Sequence, residues 1–203
     1  MKKYYYEGKT REQVIELALE DLKISEEDLI INKEEEKSGL LKKNVTIEVL
    51  NINEIIAFIK ETINEIIKKM SAEGNLEVRR RDENISITIF SDNNAILIGK
   101  NGKNITAMQL LIRQMVNSKL SKPLSIIIDV GNYKEKRAKS IEYLAKRLAR
   151  EAYKTKTEIT MDSMNSYERR IVHSVLADDK YVYTESIGEE PNRKVVIKLK
   201  EEK

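Results

Sequence analysis

The sequence predicts an α+β protein made of three small modules in tandem. The expected orders are β-α-β-β over residues 1–50, α-β-β-α-α-β over 51–131, and a three-stranded sheet with helices over 132–203, the helix at 132–156 being placed to pack against either neighbour. Three observations predict this. Apolar residues switch repeatedly between a period of two and a period near 3.6, so strands and helices interleave. The segments are short, so each module can bury only a modest core. A Gly-x-x-Gly turn, Gly99-Lys100-Asn101-Gly102, stands between two stretches of helical spacing.

Composition narrows the function. A charged fraction of 35% with only 5% aromatic residues describes a soluble, helix-rich chain with aliphatic cores. The absence of cysteine excludes disulfides, thiolate nucleophiles and Cys-based metal sites. The single histidine, His173, removes His-cluster metal sites and most general-base arrangements. With no paired-carboxylate or P-loop motif, neither an enzyme mechanism nor a cofactor or metal is expected. No apolar run approaches the roughly 20 residues of a membrane span, and no signal-peptide pattern opens the chain, so a cytoplasmic protein without a membrane span is expected. The net charge of +3 is unevenly spread: residues 1–39 are acidic, whereas 132–156 carry nine Lys and Arg against three Glu. A local cationic excess of this kind suits a polyanion partner.

In the first module, Lys2–Tyr6 reads as a strand turning at Glu7-Gly8. Thr10 with Gln13 has capping-box spacing, and Val14, Leu17, Ala18 and Leu22 recur at helical intervals. Asp28–Ile31 and Asn44–Val49 read as strands, separated by Glu34-Glu35-Glu36-Lys37, which is most simply a solvated loop or strand edge. About fifty residues make a marginal core that a neighbour or partner can steady. No chemistry is visible in this module.

In the second, Asn51 or Asn53 caps a helix whose stripe is Ile52, Ile55, Ile56, Ile59, Ile63, Ile66, Ile67 and Met70. Leu76 and Val78, then Ile85, Ile87 and Ile89, alternate about a turn at Arg81–Asn84, giving a hairpin. Arg79, Arg80 and Arg81 suit an edge-strand solubility device or a phosphate-facing role equally well. Ala95–Ile98 runs into the Gly-x-x-Gly turn, and a helix through Leu110, Leu111, Met115 and Leu120 stops at Ser121-Lys122-Pro123. Leu124–Val130 is a continuous apolar run, expected as a central strand. Two glycines three apart permit a tight turn and close backbone approach, and the unpaired N–H groups of the next helix would point at the same place. Lysines 100 and 103 suit a phosphate there; a plain helix corner with solvated lysines satisfies the four residues alone just as well.

This α-β-β-α-(Gly-x-x-Gly)-α-β order, with Ile98-Gly99-Lys100-Asn101-Gly102-Lys103, resembles a type II KH domain. The resemblance implies that the loop clamps the backbone of about four unpaired nucleotides whose bases lie in an apolar groove. Ile98, Gly99, Lys100, Asn101, Gly102 and Lys103 are the expected RNA-binding residues.

In the third module, a helix over Tyr133–Thr155 has an apolar stripe of Ala138, Ile141, Leu144, Ala145, Leu148 and Ala152. Its charged faces are either solvated or meet nucleic acid; Arg137, Lys146, Arg147 and Arg150, with Arg170 further on, are the candidate basic surface. A strand over Glu158–Met161, a helix over Asn165–Leu176 with Asn165 and Glu168 as a start signature, and strands over Tyr181–Ile187 and Lys194–Leu199 complete it. With Arg169 set at 0°, the apolar arc of Ile171, Val172, Val175 and Leu176 centres near 270° and His173 falls near 40°. His173 is therefore beside the buried arc and shares a face with Arg169.

Tyr167–His173 resembles the Arg-x-x-x-His motif of the R-three-H domain, which implies a single-stranded nucleic-acid surface containing Arg169 and His173. Arginine would pair with phosphate or stack on a base. From spacing alone, an Arg–His pair that braces the hairpin is the plainer alternative.

The three modules in this order resemble the bacterial Jag (SpoIIIJ-associated) or KhpB family. That resemblance implies an RNA-binding protein and RNA chaperone tied to cell elongation, division and peptidoglycan homeostasis. Its partners would be single-stranded RNA (or single-stranded DNA), a small KH-only protein, and a second copy of the chain as a homodimer. The alternative is a protein-interaction scaffold, associated with a membrane insertase or the cell envelope, with incidental nucleic-acid binding. Two departures stand out. Lys37-Ser38-Gly39-Leu40-Leu41-Lys42 replaces the family's Lys-Lys-Gly-Phe-Leu-Gly type segment, and Leu50 leads almost directly into a helix where many relatives have a long charged linker.

Overall fold

Thr10 starts the first helix as its sequence suggests, accepting a hydrogen bond from the Gln13 N–H at 3.3 Å. The Gln13 side chain reaches back to the Lys9 N–H, not to that of Thr10, so only half of the capping box forms. The computed structural model describes residues 1–38 and 43–200 and divides into two units, Met1–Gly131 and Asn132–Lys203. Gly39-Leu40-Leu41-Lys42, within the segment that departs from the family pattern, lies outside the described residues.

The first unit opens with β1 (Tyr4–Gly8), α1 (Arg11–Leu22), β2 (Leu29–Ser38) and β3 (Lys43–Asn51). The antiparallel sheet has the order β1-β3-β2. Val14 and Ala18 of α1 are fully buried on Val45, Ile47 and Val49 of β3. Leu17, expected on that stripe, is instead 43% exposed: a three-stranded sheet covers a narrow arc of the helix, and the Val14–Ala18 pair, four apart, fills it. The glutamate run is strand, not loop, with Glu34 opposite Ile47 and Glu36 opposite Val45 on the outer edge of the sheet.

The next six elements are α2 (Ile52–Lys69), β4 (Gly74–Arg81), β5 (Asn84–Ser91), α3 (Asn94–Ile98), α4 (Lys103–Asn117) and β6 (Ser125–Val130). Asn51 caps α2 by accepting from the Asn53 N–H at 2.8 Å, and Ile52, Ile55, Ile59, Ile63 and Ile67 are buried. The sheet order is β4-β5-β6, with β5 and β6 parallel. This corrects the expectation of a central final strand: β6 lies at an edge, and Ile127 in its apolar run is 45% exposed. The crossover through α3 and α4 carries the chain to the free side of β5, and the Gln109 side chain of α4 accepts from the Ile128 N–H at 3.0 Å. Along α4 the buried set is Ile105, Met108, Ile112 and Val116, whereas Leu110 and Leu111 are 66% and 49% exposed. The sequence traces this helix through both leucines without assigning them a face.

With α2 following β3 directly, the first module docks on the second. A break in register between Ile31 and Lys33 turns Asn32 inward, the local re-aiming that β-bulges produce. Asn32, 6% exposed, accepts from the Ser121 N–H at 2.6 Å and donates to Glu48. The Ser121 hydroxyl donates to the Asn32 carbonyl. Glu48 also pairs with Lys3 at 2.8 Å and accepts from the Tyr5 hydroxyl at 2.8 Å. The Lys3 ammonium, then the Asn32 amide, hold the Glu48 carboxyl down at about 2. At the other side of this contact, Arg80 pairs with Asp28 at 2.5 Å and donates to the Glu27 carbonyl.

The second unit comprises α5 (Tyr133–Thr155), β7 (Ile159–Thr160), α6 (Ser166–Val175), β8 (Val182–Ile187) and β9 (Lys194–Leu199). Its antiparallel sheet has the order β7-β9-β8. Ile141, Ala145, Ala149 and Ala152 of α5 meet Val172 and Leu176 of α6 and Val182, Val195 and Ile197 of the sheet. Three alanines on one face let α5 pack closely. The α6 capping box forms in full: Asn165 accepts from the Glu168 N–H at 3.0 Å, and the Glu168 carboxylate accepts from the Asn165 N–H at 3.1 Å.

Candidate nucleic-acid interface

The Gly-x-x-Gly loop joins α3 to α4 through a single left-handed turn. Gly99, Asn101 and Gly102 have φ of 69°, 53° and 76°, a region that costs a β-carbon residue strain and glycine little. The turn closes on Gly102 N–H to Gly99 carbonyl at 3.2 Å. A β-carbon at Gly99 would sit 2.5 Å from the Asn104 side chain. That side chain donates to the Ile96 carbonyl at 2.8 Å, so Asn104 fastens the start of α4 to the end of α3 beneath the loop. Periodicity gave no reason to single out Asn104, because its task is local and polar.

Around this frame Lys100 and Lys103 are exposed, Ile98 and Asn101 are half-buried, and Gly102 is buried. Lys103 is the first residue of α4, whose N-cap, Gly102, offers no side chain to the leading N–H groups. Chemically this is a narrow backbone cradle with two exposed cations beside it, suited to a phosphodiester.

The three arginines of the β4–β5 hairpin serve differently. Arg80 is spent on Asp28 and the Glu27 carbonyl, and Arg79 pairs with Glu77 at 2.7 Å. Arg81 is exposed at the turn.

In the second unit the Arg-x-x-x-His pair is built inward. Arg169 is 7% exposed; it donates to the Met164 carbonyl at 2.9 Å and pairs with Glu190 at 2.7 Å. His173 is half-buried, with Nδ1 2.6 Å from the Thr184 hydroxyl and Nε2 2.8 Å from the Ser186 hydroxyl. Burial, and secondarily the Arg169 charge, push its pKa below the usual 6.5. A neutral ring suits two hydroxyl partners, since a hydroxyl can either donate or accept.

The candidate basic surface divides in the same way. Arg137 pairs with Glu168 at 2.7 Å, whereas Lys146, Arg147, Arg150 and Arg170 are exposed. Among the described residues no helix is long and apolar enough to cross a membrane.

Residues 57–128 match the family model for the KH domain of KhpA/KhpB, and residues 139–199 match that of the R-three-H domain. The class is therefore a tandem KH and R-three-H protein. Its relatives include RNA-binding protein KhpB of Clostridium symbiosum, 38% identical over 133 residues, covering 66% of this chain and 60% of that protein. RNA-binding protein KhpB of Lactiplantibacillus plantarum is 30% identical over 66% of this chain and 42% of its own length. The Bacillus subtilis protein of that name is 26% identical across 95% of this chain and 96% of its own. The chain belongs to the KhpB (Jag) family, although its alignments span less than two thirds of the first two relatives.

Proposed function

We propose that this chain binds single-stranded RNA, with the Gly99–Lys103 loop gripping the sugar-phosphate backbone, and that it does no catalysis. The observation that carries the reading is the left-handed loop itself: a backbone cradle held by Asn104, with exposed Lys100 and Lys103 and a helix start that has no side-chain cap. Phosphate contacts supply most of the affinity, and unpaired bases supply modest selectivity. Arg169 and His173 enter as the frame of a second surface. Their bonds to Met164, Glu190, Thr184 and Ser186 hold β8 and the β8–β9 turn to α6, beside exposed Tyr167 and Arg170.

The family resemblance supports a finer reading: a cytoplasmic RNA chaperone acting in cell elongation, division and peptidoglycan homeostasis, alongside a small KH-only partner. Exposed Leu110 and Leu111 on α4 favour a second reading, a protein-interaction scaffold. Binding of a fluorescent single-stranded RNA at two salt concentrations separates the two. Tight, salt-sensitive binding that Gly102→Asp weakens supports the loop; undiminished binding by a folded Gly102→Asp chain overturns it.

A further inference from the structure

The second unit holds a surface that neither motif includes, the solvent face of α5. With its apolar side consumed in the core by Ile141, Ala145, Ala149 and Ala152, the opposite face presents Tyr143, Lys146, Arg147, Arg150 and Lys154, all exposed. At 100° per residue the four cations lie within about 60° of Tyr143, and Lys146, Arg150 and Lys154 step along the axis at about 6 Å. Tyr143 is 71% exposed, more than any other large hydrophobic side chain among the described residues. None of the four cations has a hydrogen-bond or ion-pair partner among the described residues, unlike Lys139, which pairs with Glu135 at 2.6 Å on the same helix.

We propose that single-stranded RNA runs along this face of α5, its phosphates on Lys146, Arg147, Arg150 and Lys154 and one unpaired base stacked on Tyr143. The inference rests on the RNA-binding reading above and places the second unit's direct contact on α5. Three features select this ligand. Arg169 and His173 already spend polar atoms inside the unit, whereas Lys146, Arg147, Arg150 and Lys154 spend none among the described residues. An open aromatic ring among cations is what an unpaired base needs and a duplex, with its bases stacked on one another, does not. An anionic membrane would need an exposed apolar helix face beside the cationic one, and the apolar face of α5 is buried in the core.

The test uses the full chain and a fluorescein-labelled mixed-sequence single-stranded RNA of about twenty nucleotides, with anisotropy read across a salt series. Arg147→Ala/Arg150→Ala should weaken binding about tenfold at low salt. Losing two phosphate contacts should also flatten the log K against log salt slope by about 1.4. Tyr143→Ala should cost about fivefold or more while Tyr143→Phe restores affinity, and ultraviolet crosslinking should place a nucleotide on the peptide containing Tyr143. Circular dichroism checks folding, which surface changes of this kind leave intact. Gly102→Asp is measured in parallel. If wild type binds and Gly102→Asp does not, while the α5 variants match wild type in affinity and slope, the α5 inference is overturned and the loop reading stands. If wild type binds no RNA, both fall.

Discussion

The Gly99–Lys103 loop and the Arg169/His173 pair are the two signatures most visible in this chain, and they are built in opposite ways. The loop keeps its cations exposed and gives its helix start no side-chain cap, and its main internal investment is one asparagine, Asn104. The pair turns its polar atoms into the protein: Arg169 holds Met164 and Glu190, and His173 holds two hydroxyls of β8. A signature can therefore act by offering groups to a ligand or by holding the surface that does. The two modes respond differently to mutation.

Arg169→Ala should break the comparison hardest. It strands the Met164 carbonyl and removes a charge-assisted bond to Glu190, for about 2–3 kcal/mol of stability. Urea unfolding of the second unit should show that loss, while RNA affinity per folded molecule falls much less. A larger loss of affinity than of stability would make Arg169 a direct contact.

Gly102→Asp should do the reverse, weakening RNA binding about tenfold, equivalent to 1.4 kcal/mol. Its effect on stability should be limited to modest strain, because Asp tolerates positive φ better than most residues. Asn104→Ala should follow the same pattern more weakly, loosening the loop without removing a ligand contact.

Acid should sharpen the contrast between the units. His173 has a folded pKa below its ordinary 6.5, so below that pH the unfolded state binds the extra proton and the second unit loses stability as pH falls. Glu48 is held at about 2, so its contribution to the first unit persists above its ordinary 4.5 and is lost as pH falls from there through 2. Thermal melts from pH 7 to 3 should show the second unit weakening first, with His173→Asn removing that early loss. The smallest effect should come from Lys100→Ala, a few-fold change in RNA affinity with a shallower salt slope and no change in melting.

Much of this was legible because it is local. The Asn165–Glu168 box, the Thr10 and Asn51 caps and the glycine turn depend on residues within four positions of one another, and the KH element order follows from periodicity. The apolar phase of α4 was not legible. Leu110 and Leu111 are as hydrophobic as the buried Ile105 and Ile112, and only the sheet beneath decides which arc is covered. The same holds for β6, whose run of isoleucines reads as fully buried although one face is open.

The sequence by itself determined the three modules, the loop between α3 and α4, and the concentration of positive charge on α5, since all three follow from neighbouring residues. Tertiary structure alone decided that Asn32 meets Ser121, that Arg80 is spent on Asp28, and that Arg169 is buried while Arg147 and Arg150 are not. The physical reason is range: Asn32 and Ser121 are 89 residues apart, and whether a charge is available to a ligand depends on which distant group has already claimed it.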